Sequence, residues 1–168
     1  MVQLKCDICN GTTSTRVGRY HYTESGLDNL YLDNVTIYKC KKCAAETAAI
    51  PRLNQLHRTI GVAIALKPGA LVGNEIKFLH KYLGIKAKDF AAHLRVDIST
   101  FSRWENGEQQ IGPQSDLLIR LLFFRLLEEK EGKFIREPLV EQFADSSGKT
   151  ESFNLVINTD KNMEYEYA

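Results

Sequence analysis

Residues 85–107, IKAKDFAAHLRVDISTFSRWENG, carry the reading on which the fold turns. Phe90, Ala91 and Leu94 recur at helical spacing, which predicts a short helix over residues 88–94. Asp97 can accept the free amides of a following first turn, and so starts a second helix from Ile98 to Glu105. Asn106 and Gly107 close that helix. Two short helices about a tight turn have the length of a helix-turn-helix. The second helix turns Phe101 inward and leaves Ser99 and Arg103, four residues apart, on the outward face with Ile98 and Ser102 beside them. An arginine there can bond O6 and N7 of a guanine together, a serine can bond several bases, and an isoleucine can touch a thymine methyl. Any one of these residues alone is more often plain surface. The run Ser-Arg-Trp-Glu-Asn-Gly at this place favours DNA reading.

Working outward, Ile76, Leu79 and Leu83 share one helical face from Asn74 onward, and Gly84 ends that segment. After the Gly112-Pro113 break, Ser115 is the expected cap of a further helix running to about Lys130. Nine of the eleven residues from Leu117 to Leu127 are apolar, interrupted by Arg120 and Arg125. A helix apolar nearly all round is buried on several sides. Helix-turn-helix proteins commonly bind as two-fold dimers, so Leu121, Phe124 and Leu127 are expected at a homodimer interface, with the C-terminal tail as the alternative cover.

Cysteine spacing defines the other end. Cys6-x-x-Cys9 and Cys40-x-x-Cys43 are two knuckles that together complete a tetrahedral four-sulfur site suited to Zn2+. Four thiolates leave no open position for water or substrate, so one structural zinc per chain is expected. The intervening residues must supply their own strands, and RVGRYHYT (residues 16–23) can pair with VTIYKC (residues 35–40). His21 reads as a strand histidine held by hydrogen bonds. Pro51 fits the first turn of a helix carrying Leu53, Leu56, Ile60 and Ile64, and residues 67–70 (KPGA) break it as an expected linker. In the tail, Phe153, Leu155 and Ile157, then Met163, Tyr165 and Tyr167, alternate about residues 159–162. That pattern suggests a hairpin, which must dock to be stable.

The net charge of the 168 residues is only +1, but it is uneven. Residues 128–168 hold ten acidic and five basic side chains, which leaves +6 for residues 1–127. The front can approach phosphate; the tail cannot. No apolar run reaches the ~20 residues of a membrane span. The start lacks a secretory pattern, so a cytoplasmic, nucleoid-associated protein is expected. Neither H-x-E nor H-E-x-x-H accompanies the cysteines, which argues against a zinc-dependent enzyme acting on nucleic acid.

Residues 74–125 resemble the Cro and phage-repressor (XRE) helix-turn-helix family. With the paired knuckles, residues 1–125 resemble the MqsA (YgiT-type) antitoxins. The resemblance implies metal ligation by Cys6, Cys9, Cys40 and Cys43, and base contacts from Ser99 and Arg103. It also implies a zinc domain that binds a cognate toxin and a helix-turn-helix domain that represses the pair's own promoter. Asn106 falls where related repressors touch phosphate. Arg95 stands where a turn glycine is usual, and reshapes the turn or adds a phosphate contact. Ala87 replaces a residue that often meets the backbone, with Lys86 and Lys88 as electrostatic compensation. His80 occupies the place of an arginine paired with the glutamate matching Glu105, and predicts a weaker, pH-dependent pair.

The expected fold is therefore α+β. A β-containing zinc domain with its following helix covers residues 1–68, and an all-α helix-turn-helix and dimerisation domain covers residues 69–127. An acidic extension, residues 128–168, ends in a hairpin. The expected function is a DNA-binding repressor, homodimeric on a palindromic operator and serving as an antitoxin. The alternative is a stand-alone repressor of a prophage or mobile element.

Overall fold

The computed structural model describes residues 4–133, 153–160 and 162–168. It is a mixed α+β chain that separates into two compact units. The first comprises Met1–Thr23, Asp28–Leu56 and Asn154–Ala168; the second comprises Glu24–Leu27 and His57–Phe153.

The first unit is a sheet built on two long strands, β1 (Thr13–His21) and β2 (Leu30–Cys40), paired antiparallel as their β-branched and aromatic content suggests. Val35 lies opposite Gly18 and Leu32 opposite Tyr20, so two β2 residues, Asp33 and Asn34, face one β1 residue. Asn34 takes up this bulge at φ 60°. The extra residue resets the alternation, and Leu30, Leu32, Val35 and Ile37 are all buried. Arg19 grips Asp33 across the bulge at 2.7 and 2.8 Å.

The other edge of β2 is shared. Residues 36–39 pair antiparallel with β3 (Glu46–Ala49), and residues 30–33 pair parallel with β4 (Leu155–Asn158). The last strand, β5 (Glu164–Tyr167), folds back on β4 with Leu155 opposite Tyr167 and Ile157 opposite Tyr165. The expected hairpin thus forms, and what it docks on is the cysteine-bearing sheet. Leu155, Val156 and Ile157 are all buried, so strict alternation does not hold in β4. The tail residues 134–152 lie outside the described residues.

Helix α1 (Leu53–Leu66) begins two residues after Pro51. The second unit then holds α2 (Gly73–Leu83), α3 (Ala87–His93), α4 (Ile98–Glu105) and α5 (Pro113–Glu131). Gly84 closes α2 at φ 76°, and Asp97 caps α4 through the Ser99 amide at 2.8 Å. Helix α5 starts at the Gly112 cap with Pro113 in its first turn, earlier than a Ser115 cap would place it, because proline pre-sets the helical φ. Ile76, Leu79, Phe90, Phe101, Ile119 and Phe123 are sealed in the core.

Residues 67–70, expected as a linker, lie within the second unit. The reason is Arg120, which is fully buried. Its guanidinium donates to the carbonyls of Ala65 (3.1 Å), Lys67 (2.8 Å) and Gly69 (2.6 Å), and pairs with Asp116 at 2.7 Å. Asp116 also accepts from the Leu71 amide at 2.6 Å, while buried Lys67 pairs with Glu75 at 3.2 Å. Burial pushes the Glu75 carboxyl above its ordinary range, opposed by Lys67. The segment is clamped at every turn. Among the described residues, no helix is long and apolar enough to cross a membrane.

Candidate metal centre and the exposed face of the fourth helix

The β1–β2 pairing explains how cysteines thirty-odd residues apart meet. One knuckle leads into β1 and the other leaves β2, and Thr13 pairs with Cys40 at that end of the ladder. The two knuckles have the same local build. The amide of Cys6 donates to Gly11 O and that of Cys40 to Ala45 O, at 3.0 and 2.9 Å. Asn10 N reaches Cys6 O, and Ala44 N reaches Cys40 O. Asn10 and Ala44, each following the second cysteine of its pair, turn the chain at φ 54° and 60°.

The result brings Cys6, Cys9, Cys40 and Cys43 together, with all four sulfurs within 4.8 Å of one another. Cys6 Sγ lies 3.6 Å from Cys43 Sγ, and Cys9 Sγ 3.5 Å from Cys40 Sγ, so none is a disulfide. A tetrahedral ion about 2.3 Å from each sulfur would set them about 3.8 Å apart. The four donors fit a metal ion. Amides of Cys43 and Lys42 hold the Cys40 thiol down to about 6. The Gly11 amide lowers that of Cys9, but hydrogen bonding to the Cys40 and Cys43 sulfurs outweighs it and pushes Cys9 up to about 12. Four crowded thiols do not ionise together without a cation among them. His21 stands apart from this cluster; its Nε2 meets Asp28 O at 2.7 Å and its ring stacks on Tyr31.

Helix α4 is held from behind. Phe101 and Trp104 are buried, and Phe101 packs against Phe90 with ring centres 5.7 Å apart. A Cβ on Gly73 would meet the carbonyl oxygens of Trp104, at 2.6 Å, and of Glu105, so α2 touches the end of α4 backbone to backbone. Buried His80 faces Glu105 as expected.

In front, Ile98, Ser99 and Arg103 are exposed, while Ser102 is half-buried and accepts from Asn106 Nδ2 at 3.3 Å. Lys86, Lys88 and Arg95 are also exposed. Arg95 adopts φ 55°, the left-handed conformation that a glycine takes easily. Among the described residues, Lys86, Lys88, Arg95 and Arg103 form no ion pair. By contrast Arg16, Arg19, Lys39, Arg58, Lys67, Arg120 and Arg125 each meet a carboxylate.

One expectation about surfaces changes. Phe124 and Leu127 are buried within this chain, at 2% and 0% exposure, and are core residues. Of the three residues expected at a dimer interface only Leu121 is exposed, alongside Leu117 and Leu118. Leu30, Leu32 and Val35 are buried in the sheet, and β2 is paired on both edges. The Asp116–Arg120 clamp was missed, although an aspartate four residues before an arginine inside an apolar run is a usable signal.

Comparison of the chain with protein-family models, with curated proteins and with solved structures finds no match in any of the three.

Proposed function

We propose that this chain is a sequence-specific DNA-binding repressor in which α3, the turn and α4 form a helix-turn-helix. Helix α4 enters the major groove. Arg103 bonds a guanine edge, Ser99 and Ser102 contact neighbouring bases, and Ile98 meets a thymine methyl. Lys86, Lys88, Arg95 and Asn106 hold phosphates and set the register. The observation that carries this reading is the exposed face of α4, with Ile98, Ser99 and Arg103 open to solvent and with Lys86, Lys88, Arg95 and Arg103 forming no ion pair among the described residues. Such cations are available to phosphate. Two copies read a palindromic operator, joined through Leu117, Leu118 and Leu121 on α5.

The ion held by the four cysteines is Zn2+ in a structural role. Four thiolates close its shell, and when bound it supplies folding free energy and no reaction. With the resemblance to MqsA-type antitoxins, this supports a protein that neutralises a cognate toxin through its zinc-bearing unit and represses its own operon.

Salt dependence tests the DNA reading. Anisotropy titrations on duplex DNA at several salt concentrations should give affinity falling steeply with salt, and Lys88→Ala should reduce the log–log slope by about one. Affinity indifferent to salt, or a slope unchanged by removing Lys88, would reject the proposed docking face.

A further inference from the structure

The second unit carries a cavity of roughly 230 Å3, remote in role from the α4 face, lined by Ser25, Gly26, His57, Asn74, Lys77, Phe78, Lys81 and Tyr82. Its chemistry is specific. Lys77 and Lys81, one turn apart on α2, are exposed cations that form no ion pair among the described residues. Phe78 and Tyr82 lie with rings parallel, 4° apart in tilt, and His57 sits edge-on to Phe78. Burial holds the His57 ring below its ordinary range, and so neutral near pH 7. Among the described residues, none donates a hydrogen bond to Asn74 Oδ1, a buried acceptor.

An acceptor buried without a donor costs free energy, and a ligand that brings the donor recovers it. The cations ask for an anion, the rings for a planar apolar body, and Asn74 for an N–H or O–H. We propose that this cavity binds a small aromatic carboxylate bearing a hydrogen-bond donor at the end opposite its charge. The carboxylate meets Lys77 and Lys81, the ring lies on Phe78 and Tyr82, and the donor reaches Asn74 Oδ1. Helical rise sets Asn74 and Lys81 about 10 Å apart along α2, a span that a para-substituted ring and a lysine stem cover together. The volume lies below that of drug-sized pockets, which limits the ligand to a single ring.

The probe is 4-hydroxybenzoate, titrated into 15N-labelled full-length protein, with benzoate and phenol as comparisons. Binding in the millimolar range or tighter is expected, with amide shifts centred on residues 25–26 and 74–82. Benzoate lacks the donor and phenol the charge, so each should bind roughly tenfold more weakly or worse. The exposed-site variant Lys77→Gln/Lys81→Gln should lose most of the affinity while leaving the spectrum of the folded protein intact. Asn74→Ala should abolish the preference over benzoate. Absence of shifts with 4-hydroxybenzoate, equal binding of phenol, or affinity unchanged in the double-lysine variant would overturn the assignment.

Discussion

His80 Nε2 stands 2.6 Å from Glu105 Oε1, and both side chains are almost sealed from solvent. His80 Nδ1 is committed to the Ile85 carbonyl at 2.8 Å. One imidazole therefore ties the end of α2, the following turn and the end of α4 together. Removing one partner from a buried pair leaves the other without compensation. His80→Leu should destabilise the second unit by about 3 kcal/mol or more, and Glu105→Gln in that background should restore part of the loss. Trp104, the single tryptophan of the chain, reports this through fluorescence-monitored urea unfolding. A His80→Leu midpoint equal to the parent would refute the tie.

Gly73 should tolerate no side chain. Its neighbours are carbonyl oxygens at the end of α4, which are fixed in place and cannot rotate aside. Gly73→Ala should cost about 1–3 kcal/mol as overpacking, measured by the same unfolding signal. Retention of full stability would mean that α2 and α4 separate freely.

Much of this core was legible beforehand. Asp97, Phe101 and Gly84 announce their roles locally, because capping, inward spacing and a left-handed turn are properties of a few adjacent residues. The four cysteines were equally plain, since duplicated C-x-x-C spacing names its own chemistry. The sheet's composition was not. Pairing of β4 with β2 joins residues more than a hundred positions apart, and nothing local in Leu155 or Ile157 names Leu30 and Leu32 as neighbours. Arg120 misled for a related reason: an arginine buried by backbone carbonyls reads in sequence as a break in an apolar run.

The C-terminal hairpin should stabilise the cysteine-bearing unit. Ile157 is fully buried and lies opposite Leu32. Ile157→Ala should cost about 2–5 kcal/mol. Chains ending at residue 152, or residues 1–68 alone, should expose the Leu30–Asp33 edge and react faster at their cysteines with a thiol reagent. Cysteine reactivity unchanged by truncation would show that the hairpin is dispensable.

Metal removal should act on one unit. Elemental analysis is expected to give one zinc per chain, and a structural zinc contributes about 10 kcal/mol or more of folding free energy at neutral pH. Chelation or Cys40→Ser should unfold the sheet while Trp104 fluorescence stays native. Metal-free protein with a folded sheet and four titratable thiols would contradict the structural role.

The α4 cap should be acid-sensitive. Hydrogen bonds from Ser99 hold the Asp97 carboxyl below its ordinary 3.8. A lowered folded value means that the charged cap stabilises above the unfolded value, and that this contribution is lost as pH falls through the folded one. Asp97→Asn keeps an acceptor and should flatten the acid limb of stability below about pH 4. An identical limb in the variant would assign the acid loss elsewhere.

DNA reading by α4 is tested most directly by selecting binding sites from a random duplex pool with the parent protein and with Arg103→Ala. The parent should enrich a palindromic site containing a guanine in each half. Arg103→Ala should lose its preference at that one base pair, worth about 1–3 kcal/mol, and keep the rest of the site. A pool left random by the parent, or the same site selected by both proteins with the same stringency, would contradict the account.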